Sequence, residues 1–345
     1  MGNVFKRAFY TIAGLPLIHY LGRPLRGRAC VLCYHRVLPD EEFDADKSPN
    51  SNLIMPTSKF TEQMKFLSER HTVVSMDELV EHLESDSNKF VVAITFDDGY
   101  KDNLIHALPV LERYNTPATI YVITRLPEGD TWMWWYEIWD YLEKNNSLEV
   151  GDMLEGGPIK TSKQKIKIFN KLLYLMLNLQ NNEQRKTVEK ITGMSSRKQY
   201  PQLCLSWDEI KKLDCHSLVT IGAHTHSHPN LKQLTEEEAF SEMMQSKNKL
   251  EDQLGHSVDH FAYPFGTENE ADKQEFYLAS RCRFRTAVTT RPQTIQHTAL
   301  NSIHRLGMPS YMTAHCLRGK LSGWEQFIRN ILNGHLNNSS LQDQN

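Results

Sequence analysis

Two carboxylates stand side by side in Thr95-Phe96-Asp97-Asp98-Gly99-Tyr100, at the end of an apolar run over 90–96. Ionised carboxylates at the end of a buried strand are costly unless a cation or hydrogen-bond donors compensate them. Neighbours on an extended chain point to opposite sides, so one acid can hold a cation while the other faces a substrate. Asp-Asp-Gly also suits a helix N-cap followed by a first-turn acid, and this motif alone leaves both readings open. A second cluster, Gly222-Ala223-His224-Thr225-His226-Ser227-His228-Pro229, holds three histidines within five residues. His224 and His228 are four apart, which brings two imidazoles together on one turn. Neutral imidazole is a common ligand for zinc and similar metals. A polar surface turn is the weaker reading, because this cluster, like the aspartates, follows a strand-like segment. The third segment, Phe261-Ala262-Tyr263-Pro264-Phe265-Gly266, reads as a strand ending in a tight turn, useful if a backbone N–H there points into a site.

The elements that must position these residues alternate between strand-like and helix-like, which predicts an α/β fold with a parallel sheet. Strands are expected over 30–37, 71–76, 90–96, 118–124, 218–222, 259–263 and 284–289; the run FVVAITF is apolar on both faces. Capping boxes at Ser75/Glu78, Ser206/Glu209 and Thr235/Glu238 open helices, and Gly255 closes the last of these. Residues 127–200 break the alternation with the Trp-rich TWMWWYEIWDYL and a Lys-rich amphipathic helix, and read as a helical insertion. Clusters at the carboxyl ends of successive parallel strands converge on one face of a barrel or open sheet. One site follows. Asp98, His224 and His228 hold a metal with open positions for water and substrate. Asp97 is the neighbouring base, and a backbone N–H near Phe265 helps hold the oxyanion.

The chain has 345 residues and a formal net charge of -3, so no nucleic-acid partner is expected. Cys30, Cys33, Cys204, Cys215, Cys282 and Cys316 read as buried core thiols in a reducing compartment. Residues 1–27 form an N-terminal helical segment, too short and interrupted to span a bilayer. A helix packed on the domain is favoured there over one lying on an anionic membrane surface. The catalytic domain is expected over 28–310, with a C-terminal helix and a frayed tail over 311–345. The expected location is cytoplasmic, with peripheral contact at the inner membrane face as the lesser alternative.

TFDDGY, HTHSHP and YPFG, in this order, resemble the polysaccharide deacetylase family, the NodB-homology domain of carbohydrate esterase family four. Leu32-Cys33-Tyr34-His35-Arg36-Val37 resembles the N-terminal strand of its biofilm-glycan branch. The resemblance covers roughly 28–125 and 203–310. It implies a distorted (β/α) barrel of the NodB type binding one divalent metal, usually Zn2+, and a carbohydrate substrate. It assigns Asp97 as base, Asp98, His224 and His228 as ligands, and Thr225 as a residue shaping the metal loop; His226 is not a ligand. Many members read Arg-Pro-Pro-Tyr in the third motif. Here Ala262 replaces the arginine that orients the base, with Arg305 as its expected substitute, and Phe265 replaces the tyrosine. His304 is the expected general acid. Tyr263, Arg305, Tyr34 and His35 are candidates for the substrate and oxyanion pocket, although Tyr34 and His35 also suit plain packing at the strand end. Trp132, Trp134, Trp135 and Trp139 read as core of the insertion rather than sugar-stacking platforms. The implied reaction is hydrolysis of acetamido groups on N-acetylhexosamine residues. Alternatives are a catalytically impaired glycan-binding module, or a deformylase acting on a lipid-linked sugar.

Overall fold

A computed structural model describes residues 3–45, 47–148, 157–195, 197–296 and 299–332. The frayed tail expected over the last dozen residues lies outside them. The strands are β1 (Ala29–Tyr34), β2 (Arg36–Leu38), β3 (Ile54–Pro56), β4 (Thr72–Val74), β5 (Val91–Phe96), β6 (Ala118–Val122), β7 (Ser147–Leu148), β8 (Gly157–Pro158), β9 (Val219–Ala223), β10 (His260–Ala262), β11 (Thr286–Val288) and β12 (Arg305–Gly307). The α-helices are α1 (Asn3–Ala13), α2 (Pro16–Gly22), α3 (Thr57–Arg70), α4 (Met76–Glu84), α5 (Leu108–Tyr114), α6 (Trp134–Lys144), α7 (Ser162–Leu177), α8 (Asn181–Thr192), α9 (Trp207–Asp214), α10 (Glu236–Leu254), α11 (Lys273–Arg281), α12 (Ala314–Lys320) and α13 (Trp324–Leu332).

Seven parallel strands follow one another around a barrel in the order β1, β5, β6, β9, β10, β11, β12. A parallel bridge from Val288 to Ile303, just ahead of β12, nearly closes the ring. β4 and β6 share one edge of β5. Thr72–Val74 pairs with Val91–Ala93, and Thr119–Ile120 pairs with Thr95–Phe96. This is a NodB-type (β/α) barrel, as the motifs implied. The capping boxes at Ser75, Ser206 and Thr235 are present, and Gly255 takes the left-handed conformation after α10.

Strict alternation decides what faces the site. On β1, Cys30, Leu32 and Tyr34 join the layer between barrel and helices, while Ala29 and Val31 fill the interior. On β5, Val92, Ile94 and Phe96 point outward, Val91 and Ala93 inward. Continuing the period, Thr95 and Asp97 point inward. Small interior residues leave room at the top of the barrel for polar groups. The N-terminal helices pack on α12, where Gly319 lies so close to the Tyr10 carbonyl that any β-carbon would collide.

The insertion has a core of its own, in which Trp132, Trp134, Trp135 and Trp139 pack with Ile138, Phe169, Leu172 and Met176. The expectation that these tryptophans are core agrees with their burial. Five of the six cysteines are buried and free; Cys215 is exposed, contrary to expectation, because it follows α9 in a surface turn. Cys30 and Cys33 are three apart on one strand and face opposite sides of the sheet.

Candidate active site and metal centre

The carboxyl end of β5 delivers Asp98, and the loop after β9 delivers His224 and His228. The Nε2 atoms of both histidines lie 3.5 Å from Asp98 Oδ1, and all three residues are buried. Donors about 2.0–2.2 Å from a tetrahedral zinc are about 3.3–3.6 Å apart, so one carboxylate and two imidazoles at this spacing fit such an ion. His224 Nδ1 is 2.7 Å from the Ala262 carbonyl, which turns Nε2 toward the site. Burial pushes His228 down to about 3, the neutral state in which imidazole ligates. Burial acts on His224 in the same direction and is the largest single influence, but the hydrogen bond to Asp98, the charges of Asp97 and Asp98 and the Ala262 carbonyl together outweigh it and raise it.

The loop is fixed from below and behind. Thr225 Oγ1 accepts from the His228 N–H at 3.0 Å, and Glu242 of α10 accepts from the N–H groups of His226 and Ser227. Asp98, Thr225, His228 and Phe265 all hold positive φ, between 60° and 73°. Such backbone costs about 1–3 kcal/mol per residue and persists only where the surroundings impose it.

Asp97 faces the barrel interior and meets Arg305 of β12 through two parallel bonds, Nη1 to Oδ1 at 2.7 Å and Nη2 to Oδ2 at 2.6 Å. Arg305 is fully buried. Its Nε donates to the Thr289 carbonyl at 2.9 Å, and Nη1 also reaches Thr95 Oγ1 at 3.1 Å. Burial alone would push the Asp97 carboxyl up, but the guanidinium holds it well below the usual carboxylate range. Arg305 thus stands in for the arginine missing at Ala262. It acts through Asp97 and does not line the cleft, which differs from its expected place among substrate-contacting residues. Cys33 adds a weak contact, Sγ to Asp97 Oδ2 at 3.5 Å.

His35 and Phe265 join this centre. His35 Nε2 is 4.0 Å from Asp97 Oδ2. Phe265 packs its ring on His228, with centroids 4.6 Å apart, and its backbone N–H has no acceptor among the described residues. Three expected residues do not join. Tyr34 points outward from β1 and donates to Gln63 Oε1 at 2.7 Å inside the helix layer. Tyr263 points outward after β10 and donates to the Asn301 carbonyl at 2.7 Å. His304 precedes Arg305, so alternation sends its ring away from the barrel interior, into a separate hollow with Glu268 and Arg291.

The cleft above the centre has a cavity volume of about 140 Å³. The insertion supplies one wall through Trp134, Trp135, Leu173 and Leu177, and Leu53 and Ile54 face the same space. Trp135 lies 5.8 Å from the His228 ring, so these core tryptophans also border the site. Arg36 lines the cleft too, held by Asp102 at 2.7 Å. Sequence reading missed Cys33, Asp102 and Glu242, because their partners come from distant elements and no local spacing marks them.

A family model described as polysaccharide deacetylase matches residues 84–280. The chain belongs to this family. The matched span includes Asp97, Asp98, His224 and His228 and ends before Arg305. A deacetylase from Streptococcus pyogenes, PplD, shares the fold with a TM-score of 0.57, at 22% identity over 85% of this chain and 98% of that one. IcaB from Ammonifex degensii does so at 0.55, with 18% identity over 87% of this chain and 97% of that one. The Bacillus subtilis polysaccharide deacetylase homologue YxkH is 33% identical over 96 residues, 27% of this chain, so the match spans about a third (31%) of that relative's length.

Proposed function

We propose that this chain hydrolyses the acetamido group of N-acetylhexosamine residues in a surface polysaccharide or its precursor, with Asp98, His224 and His228 holding one divalent ion, zinc foremost. Bound there, such an ion supplies Lewis acidity that lowers the pKa of water and polarises the acyl carbonyl. The observation that carries the reading is the Asp97–Arg305 pair beside that ligand set, a carboxylate held ionised and aimed. Asp97 takes the proton of the attacking water. The Phe265 N–H donates to the oxyanion as the carbonyl becomes tetrahedral. His35, the cleft histidine outside the ligand set, protonates the departing amine in place of His304. The apolar wall from Trp134, Trp135 and Leu177 suits the C–H face of a pyranose and the acetyl methyl. A base held this way also argues against a module that only binds glycan.

The test is acetate release from an N-acetylglucosamine oligomer with zinc added, alongside metal analysis of purified variants. Asp97→Asn keeps its metal and loses release, and His224→Ala loses both. Equal metal content in the two variants, or a zinc-loaded wild type that binds the oligomer without releasing acetate, refutes the assignment.

A further inference from the structure

Ten of the fifteen exposed large hydrophobic residues among those described fall in two short stretches: seven within residues 4–21 and three within 328–332. They do not result from a helix lacking a packed side. α1 buries Tyr10 and Ala13 toward α12, and α2 buries His19 and Gly22. The exposed set is a second apolar face. On α1, Val4, Ala8 and Ile12 recur every four residues with Phe5 beside them; Val4 is 79% exposed, Phe5 70% and Ile12 58%. On α2, Leu17 at 69% and Leu21 at 57% repeat the spacing, flanked by Leu15 and Tyr20. An exposed apolar face of this kind on a helix pair already packed on its other side marks a surface that meets a partner or a membrane.

Charge identifies the occupant. The chain is net negative, yet residues 1–28 carry Lys6, Arg7, Arg23, Arg26 and Arg28 and no acid, the first acidic residue being Asp40. Arg28 is committed to carbonyls at the end of α4 and Arg26 lies over the Phe90 ring. Lys6, Arg7 and Arg23 are exposed and form no ion pair among the described residues. A second copy of the chain related by a two-fold axis would bring the basic residues of this stretch together, and no residue of 1–28 is acidic. A bilayer with anionic headgroups matches both properties, apolar side chains entering the acyl boundary and cations meeting the headgroups. No described helix is long and apolar enough to cross a membrane. We propose that the outer face of α1 and α2 docks the protein on an anionic lipid surface, lying in the interface rather than spanning it. This inference rests on surface chemistry and is independent of the reaction assigned to the cleft.

The experiment is co-sedimentation of the full chain with vesicles of phosphatidylcholine alone or mixed with phosphatidylglycerol, with light scattering in parallel. Wild type should pellet with the mixed vesicles and be released by salt. Lys6→Gln/Arg7→Gln should weaken partitioning at least tenfold, since each surface cation contributes about fivefold. Leu17→Glu/Leu21→Glu should abolish it while leaving the thermal midpoint unchanged, because both side chains are exposed. Absence of wild-type binding to mixed vesicles, or binding indifferent to both variants, overturns the proposal. So does a dimer that Leu17→Glu/Leu21→Glu dissolves in the absence of vesicle binding, which would assign the face to a second copy.

Discussion

Arg305→Met is the perturbation that most directly probes the site. The guanidinium is fully buried and makes two charge-assisted bonds to Asp97 at 2.6 and 2.7 Å. Removing it leaves a buried carboxylate without its counter-charge, which costs about 3–5 kcal/mol of stability. The burial that pushes Asp97 upward is then opposed only by the weaker influence of His224 and His35, and the carboxyl takes up a proton at higher pH than before. A base works only when ionised, so the acid limb of the pH–rate profile moves up. At neutral pH the rate falls toward the loss of the whole base contribution, about 100- to 10,000-fold. Arg305→Lys keeps the charge but not the fork, and should fall between. The assay combines acetate release across pH with thermal unfolding of Arg305→Met, Asp97→Asn and the double variant. Both single variants leave one buried charge unpaired, so the double variant should be more stable than the sum of their losses allows. Strictly additive losses, or an Arg305→Met enzyme with an unmoved acid limb, would refute the pairing as the means of holding the base.

His304→Gln should leave the rate unchanged, whereas His35→Gln should lower kcat by about 100-fold or more at unchanged metal content, read in the same acetate assay. Tyr263→Phe should cost about 0.5–1.5 kcal/mol in denaturant unfolding without changing KM, because it removes a part-buried hydrogen bond to the Asn301 carbonyl outside the cleft. Glu325 ties α13 to the N-terminal helix: burial would raise its carboxyl, but Lys320, the Tyr10 hydroxyl at 2.7 Å and Arg329 lower it. Its folded pKa lies below the unfolded one, so its contribution is present above about pH 4.3 and fades as pH falls through the folded value. The stability gap between wild type and Glu325→Gln should therefore be constant near neutrality and close in acid.

Much of the fold was legible because burial on both faces leaves a plain mark. FVVAITF admits few structures other than an inner parallel strand, and Ser75/Glu78 or Thr235/Glu238 state where helices begin. The three residues proposed as ligands were legible for a related reason. Asp98, His224 and His228 sit at or just beyond strand ends, where parallel topology sends every loop to the same face. Boundaries within the run 30–37 were less clear, since His35 breaks it into β1 and β2 where the chain turns over the barrel rim.

The sequence alone therefore determined the family, the barrel and the carboxylate and two imidazoles proposed as metal ligands, because these rest on local patterns repeated at strand ends. Tertiary structure decided which neighbours of those motifs turn inward. A side chain in a strand reverses its face with every residue, so Arg305 reaches Asp97 across the barrel while His304 and Tyr263, equally close in sequence to the expected site, point into other layers. No spacing along the chain encodes a salt bridge between residues 97 and 305; only closure of the barrel brings β5 and β12 to either side of β1 and lets one guanidinium span the gap.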